Sequence, residues 1–207
     1  MKKILNLIVR GYKAVCRVIV TNSIRLYCKI VYKTKVIGRE NIPKEGALIF
    51  CGNHKSYLDA PLIIVTCPRS ARFMSKEEVK KNLLFRFLCY VYNAIYVKRD
   101  HRDIGPLKEA LKELKDGGCI GIFPEGTRNG LEKNDGKIKN GASYMSLKTG
   151  AKLVPIGIKG EVKPWHQMTI TYGKPLDFSE ELKEKSAKEL EGYVTERLKE
   201  EIIKLSK

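Results

Sequence analysis

Ala47-Leu48-Ile49-Phe50-Cys51 runs without a break into Gly52-Asn53-His54-Lys55-Ser56-Tyr57-Leu58-Asp59. Five consecutive apolar residues have the length and character of a strand buried on both faces, as in a parallel sheet. Gly52 and Asn53 close the run, and Ala60-Pro61 opens a helix, where proline is welcome in the first turn. The stretch therefore reads strand–turn–helix, with His54 and Asp59 at the junction. Five residues along a helix turn through about 140°, so on one continuous helix the two side chains would diverge. They meet only if His54 sits in the turn and Asp59 at the helix start. In that geometry the carboxylate holds one imidazole nitrogen, and the other is free to take a proton as a general base. Taken alone, the stretch also admits a purely structural histidine.

A second loop has the same setting. Cys119-Ile120-Gly121-Ile122-Phe123 reads as a strand and runs into Pro124-Glu125-Gly126-Thr127-Arg128. Gly126 allows close approach of backbone to a ligand, Thr127 offers a hydroxyl, and Arg128 suits a phosphate. Glu125 can hold Arg128 or accept from a substrate hydroxyl. No G-x-x-x-x-G-K-[ST] sequence occurs, so the loop is not a P-loop. Between and beyond the loops, strands and helices alternate. Strands are expected at 36–38, 72–74, 94–97, 153–158 and 168–172. Helices are expected over 60–66, 77–90, 103–116, 141–148 and 186–204, the last opened by a Ser186-x-x-Glu189 capping box. Pro155 points to an edge strand or a bulge. The pattern predicts an α/β fold with a mixed central sheet flanked by helices.

Together, Asn53-His54-x-x-x-x-Asp59 and Phe123-Pro124-Glu125-Gly126-Thr127-Arg128 resemble the glycerolipid acyltransferase family, most closely its short bacterial members that acylate lysophosphatidate. The resemblance covers about residues 35–175. Tyr96-Val97-Lys98-Arg99 resembles the family's intermediate basic block, and Val154-Pro155-Ile156 a later strand motif. Lys76, in Ser75-Lys76-Glu77-Glu78, matches a basic position of the family's catalytic cleft. The segment 129–135 is longer and more acidic than the family pattern. The resemblance implies transfer of a fatty acyl group from a thioester, acyl-CoA or acyl carrier protein, to the free hydroxyl of 1-acyl-sn-glycerol 3-phosphate. It implies His54, Asp59 and Lys76 as catalytic residues, with Asn53, Arg99, Glu125, Gly126, Thr127 and Arg128 around the acceptor. Glycerol 3-phosphate or another lysophospholipid is the alternative acceptor. No metal and no cofactor beyond the acyl donor is expected.

Charge says where such a reaction would occur. The 207 residues carry a net +17, and residues 1–35 hold nine Lys or Arg and no Asp or Glu. Such a concentration attracts anionic surfaces. On a helical wheel Lys3, Arg10, Lys13 and Arg17 share one sector, opposite Ile4, Leu5, Ile8, Tyr12, Val15, Val18 and Ile19. We expect an amphipathic helix that breaks near Thr21-Asn22-Ser23 and restarts to about Tyr32. Residues 1–33 are thus expected to be a membrane-surface anchor and 34–207 the enzymatic domain with a C-terminal packing helix. The expected location is the cytoplasmic face of the cell membrane, peripheral or monotopic. The N-terminus begins like a secretory signal, but Arg10, Lys13 and Arg17 interrupt it, so no signal core is expected. No nucleic-acid-binding motif accompanies the high charge, so nucleic acid is not an expected partner. Six scattered cysteines without C-x-x-C spacing read as reduced, packed thiols.

Overall fold

A computed structural model describes residues 2–98, 103–133 and 136–207 and, within these, all side chains but those of residues 2–8, 10 and 132. The chain begins with helix α1 (Lys2–Val31) and strand β1 (Lys35–Ile37). Then come β2 (Leu48–Gly52), α2 (Asp59–Thr66), β3 (Arg72–Lys76), α3 (Leu83–Val91), β4 (Ile95–Val97), α4 (Gly105–Lys115) and β5 (Cys119–Ile122). The second half holds α5 (Gly130–Lys133), α6 (Gly141–Thr149), β6 (Lys152–Lys159), β7 (Thr169–Tyr172), α7 (Glu181–Glu184) and α8 (Ala187–Ser206). The seven strands form one mixed sheet in the order β1-β7-β6-β2-β5-β3-β4, antiparallel only between β6 and β7.

The apolar run 47–51 is the middle strand of this sheet. β2 is buried along its whole length and pairs in parallel with β5 on one side and β6 on the other. Its side chains alternate between two cores. Leu48 and Phe50 join Leu62 and Ile63 of α2 and Cys28 of α1. Ile49 and Cys51 join Ala110 and Leu114 of α4, Ala142 and Met145 of α6, and Leu190, Val194 and Leu198 of α8. A parallel strand with helices on both faces needs this double burial. The carboxyl ends of β2 and β5 consequently lie side by side, where sites of α/β sheets collect.

Three local expectations change. First, α1 does not break at Thr21-Asn22-Ser23 but continues to Val31. Its basic side chains explain how it stays on the domain. The guanidinium of Arg17 donates to the carbonyl of Val91 and that of Arg25 to the carbonyl of Val65, both at 3.0 Å, at the carboxyl ends of α3 and α2. Lys13 donates to Asn93 and lies 3.7 Å from the Tyr90 ring centroid. Cations at helix carboxyl ends satisfy free carbonyls and the negative pole of the helix dipole. The apolar side (Tyr12, Val15, Val18, Ile19, Leu26, Ile30) therefore faces outward.

Second, the segment 77–90 is two elements. A 3-10 turn, Glu77–Lys81, precedes α3, because the Asn82 side chain accepts from the N–H groups of Leu84 and Phe85 and starts a new helix there. Third, Pro155 sits in an interior strand. The Leu153 N–H reaches Leu176 and the Ile158 N–H reaches Asn53 on the opposite side, so the nitrogen of Pro155 faces β7. The β6–β7 ladder starts at Ile156, so Pro155 falls in the gap between it and the Leu153–Leu176 bridge. The Pro155 carbonyl still accepts the Gly173 N–H at 2.9 Å, so proline forgoes only the return bond at the end of the ladder.

Candidate active site

His54 lies in the turn after β2, and Asp59 is the first residue of α2. Their side chains meet, with Nδ1 of His54 2.8 Å from Oδ2 of Asp59. Asp59 is 0% exposed, and the same oxygen accepts from the backbone N–H groups of Lys55 (2.6 Å) and Ser56 (2.7 Å). Three donors on one carboxylate oxygen tighten the turn and give the buried charge its compensation. Among the described residues no protein group bonds Nε2, so this nitrogen is left to act on a ligand. Below the imidazole lies Phe123, its ring centroid 4.1 Å away and the planes 10° apart. An imidazolium over an aromatic face is favoured by the ring quadrupole. Phe123 in turn packs on Phe73, centroids 5.8 Å apart.

The second loop is tied to the first through backbone. Glu125, 3% exposed, accepts the His54 N–H at Oε1 (2.9 Å) and the Leu131 N–H at Oε2 (3.0 Å). The His54 carbonyl accepts the N–H of Asn129 at 2.6 Å. Both peptide groups of His54 are therefore held by residues 125–129. Gly126 has φ +69, a left-handed conformation that costs other residues energy. Gly130 packs so closely on Glu125 that a Cβ there would lie 2.6 Å from the Glu125 Cβ. Arg128 points outward and stacks on Tyr57, its Cζ 4.0 Å from the ring centroid. No carboxylate pairs with it among the described residues.

The structure thus brings His54, Asp59, Glu125, Gly126, Thr127 and Arg128 together at the carboxyl ends of β2 and β5. Asn53 has a different surrounding. Its carboxamide, 3% exposed, donates to the carbonyl of Ile158 (3.0 Å) and accepts its N–H (2.6 Å), which stitches β2 to β6. Glu125 turns inward to backbone and does not hold Arg128. Lys76 is exposed at the carboxyl end of β3, two strands from β2. Arg99 lies outside the described residues. Two aromatic neighbours escaped the sequence reading, Phe123 stacked under His54 and Tyr57 under Arg128. The available signal was position: one directly precedes the Pro-Glu-Gly turn, and the other stands between His54 and Asp59. Among the described residues no cluster of His, Cys, Asp and Glu has the arrangement of a metal site.

The arrangement can take a proton at one nitrogen, stabilise the resulting imidazolium, and hold an anion close by. Comparison with known proteins agrees in kind. The Acyltransferase family model matches residues 33–159. A 1-acyl-sn-glycerol-3-phosphate acyltransferase of Borreliella burgdorferi is 34% identical over 127 residues, 60% of this chain and 50% of that protein, so the match spans half of that relative. A Bacillus subtilis protein of the same name is 27% identical over 161 residues, 75% of this chain and 79% of the relative. The crystal structure of the 1-acyl-sn-glycerophosphate acyltransferase PlsC from Thermotoga maritima has the same fold. Its TM-score is 0.62 at 23% identity, covering 93% of this chain and 97% of the other. The family match opens just after α1, closes with β6, and contains both loops, so the chain belongs to the Acyltransferase family.

Proposed function

We propose that the protein is a lysophosphatidate acyltransferase. It moves a fatty acyl group from acyl-CoA or acyl carrier protein to the free hydroxyl of 1-acyl-sn-glycerol 3-phosphate, giving phosphatidic acid for phospholipid synthesis. The observation that carries this reading is the His54–Asp59 pair, 2.8 Å apart, with Arg128 on the adjoining loop, paired with no carboxylate among the described residues. The names of the Borreliella and Bacillus relatives support the choice of acceptor.

A thioester is already activated, so the reaction needs a base and not an enzyme nucleophile. Nε2 of His54 takes the proton of the acceptor hydroxyl as its oxygen bonds to the thioester carbonyl carbon. Asp59 and the face of Phe123 stabilise the imidazolium. The tetrahedral intermediate collapses, the C–S bond breaks, and His54 returns the proton to the departing thiolate. Lys76, at the end of β3, is assigned to the oxyanion. Arg128 holds the phosphate, with the Thr127 hydroxyl and the Gly126 backbone beside it, and Arg99 is a second candidate for the same charge. Asn53 and Glu125 position the loops.

The lipid acceptor places the reaction at a membrane. No described helix is long and apolar enough to cross one. We assign residues 1–33 to the interface and 34–207 to the enzymatic domain. The outward apolar side of α1 and the exposed Leu83, Leu84 and Phe87 of α3 support this assignment. The net positive charge favours an anionic leaflet, and a CoA or carrier-protein donor favours the cytoplasmic face. The test is an acceptor panel in mixed micelles. With a fixed acyl donor, 1-acyl-sn-glycerol 3-phosphate should be acylated at least tenfold faster than glycerol 3-phosphate or lysophosphatidylcholine. Equal or faster acylation of either competitor would move the assignment to that acceptor.

A further inference from the structure

Tyr57 stands between the base and its carboxylate, yet it belongs to neither core. It is 49% exposed. One face of its ring carries the Arg128 guanidinium, Cζ 4.0 Å from the centroid. The ring also meets Phe85 of α3, centroids 5.2 Å apart. A stacked guanidinium spends its face on the ring and keeps its edge N–H groups free, the edge that grips a phosphate with two parallel bonds. Arginine side chains have many rotamers, and an exposed one without a platform must be ordered by the ligand at a cost in affinity.

We infer that Tyr57 is a positioning residue for acceptor binding: it pre-orders Arg128 and sets its place relative to His54. The inference rests on the phosphate role proposed for Arg128. The geometry supports it in two ways. Tyr57 and His54 belong to one short turn, locked by the three donors on Asp59. A guanidinium seated on Tyr57 is therefore held in register with the imidazole, although it comes from another loop. Tyr57 also stands where the polar site meets the exposed apolar side of α3 through Phe85. An acceptor with a phosphate head and an acyl tail needs such a boundary.

The experiment is a double-mutant cycle with purified full chains, reading KM and kcat for 1-acyl-sn-glycerol 3-phosphate at a saturating acyl donor. Tyr57→Leu should raise the acceptor KM about fivefold, the size of an exposed cation–π contact, and keep kcat within about twofold. Tyr57→Phe, which retains the ring, should restore the KM. In an Arg128→Ala background, Tyr57→Leu should have no further effect, because its action runs through the guanidinium. Thermal unfolding of each variant separates misfolding from weak binding, and rescue by phenylalanine decides the matter if leucine destabilises the chain. Overturning results are of two kinds. A raised KM with Arg128→Ala and an unchanged one with Tyr57→Leu, or equal Tyr57→Leu effects in both backgrounds, would remove the inference alone. An unchanged KM with Arg128→Ala would remove the phosphate reading of Arg128 and the inference with it.

Discussion

At the scale of single residues, His54 is restrained on nearly every side. Asp59 holds Nδ1, Phe123 supports the ring face, Glu125 takes the N–H, and Asn129 donates to the carbonyl. In its proposed role as base, a histidine so restrained would lose little entropy on reaching the transition state. Asp59→Asn keeps the shape but can no longer accept from His54 and both backbone donors as an anion. We predict a fall in kcat of about 10²- to 10⁴-fold with a near-normal acceptor KM, measured by steady-state kinetics. The meeting of His54 and Asp59 was legible in the sequence because spacing and helix rotation admit only one way for them to touch. The partners of Glu125 and Asn53 were not. Both side chains serve main-chain groups of Leu131, His54 and Ile158, and a sequence does not show which peptide groups lie near a given carboxylate or amide.

At the scale of elements, packing reaches the site through a column of rings. A Cβ at Gly121 would lie 2.5 Å from the Phe73 ring, so the glycine in β5 exists to seat Phe73, which packs on Phe123 beneath His54. Gly121→Ala should overpack this column. We expect a loss of about 1–3 kcal/mol, read as a lower midpoint in thermal unfolding, together with reduced activity as Phe123 shifts. For α1, amphipathicity was evident from residue spacing but its orientation was not. Lys13, Arg17 and Arg25 are committed to the ends of α2 and α3, a tertiary contact, and this also removes the need for a break in the helix. Deleting α1 would therefore expose Cys28 and Ile24 of the core as well as remove the proposed anchor. The cleaner test is Val15→Glu with Ile19→Glu on the outward side. Co-sedimentation with anionic vesicles should fall several-fold while the thermal midpoint stays within about 2 °C, since neither side chain is packed. Binding unchanged by both charges would count against residues 1–33 as the anchor.

At the scale of the whole molecule, the alternation of elements disclosed an α/β sheet, and the strand order came only with the structure. β2 is flanked by strands distant in sequence, and an interior place for Pro155 depends on where β7 happens to end. Burial also shapes the response to pH. The thiols of Cys28 and Cys67 are pushed by desolvation from the ordinary 9.0 to about 11. Their folded values lie above the unfolded ones, so the stability they contribute is complete below about pH 9. It is lost as the pH rises toward 11, because the unfolded chain ionises first. Chemical unfolding of the reduced protein should show a midpoint that is flat from these two groups between pH 7 and 8.5 and declines above about pH 9. Replacing both cysteines with alanine should lessen the decline, and the remainder comes from other groups that burial also raises, Cys51 and Cys119 among them. A single measurement tests the proposed reaction most directly. Purified protein is incubated in mixed micelles with 1-acyl-sn-glycerol 3-phosphate and acyl carrier protein or CoA thioesters of one known chain, and the lipid product is identified by mass. The account predicts phosphatidic acid carrying both chains, with its formation reduced at least a hundredfold by His54→Ala in a protein that unfolds normally. No acylated lipid with either donor, or undiminished product from His54→Ala, would contradict it.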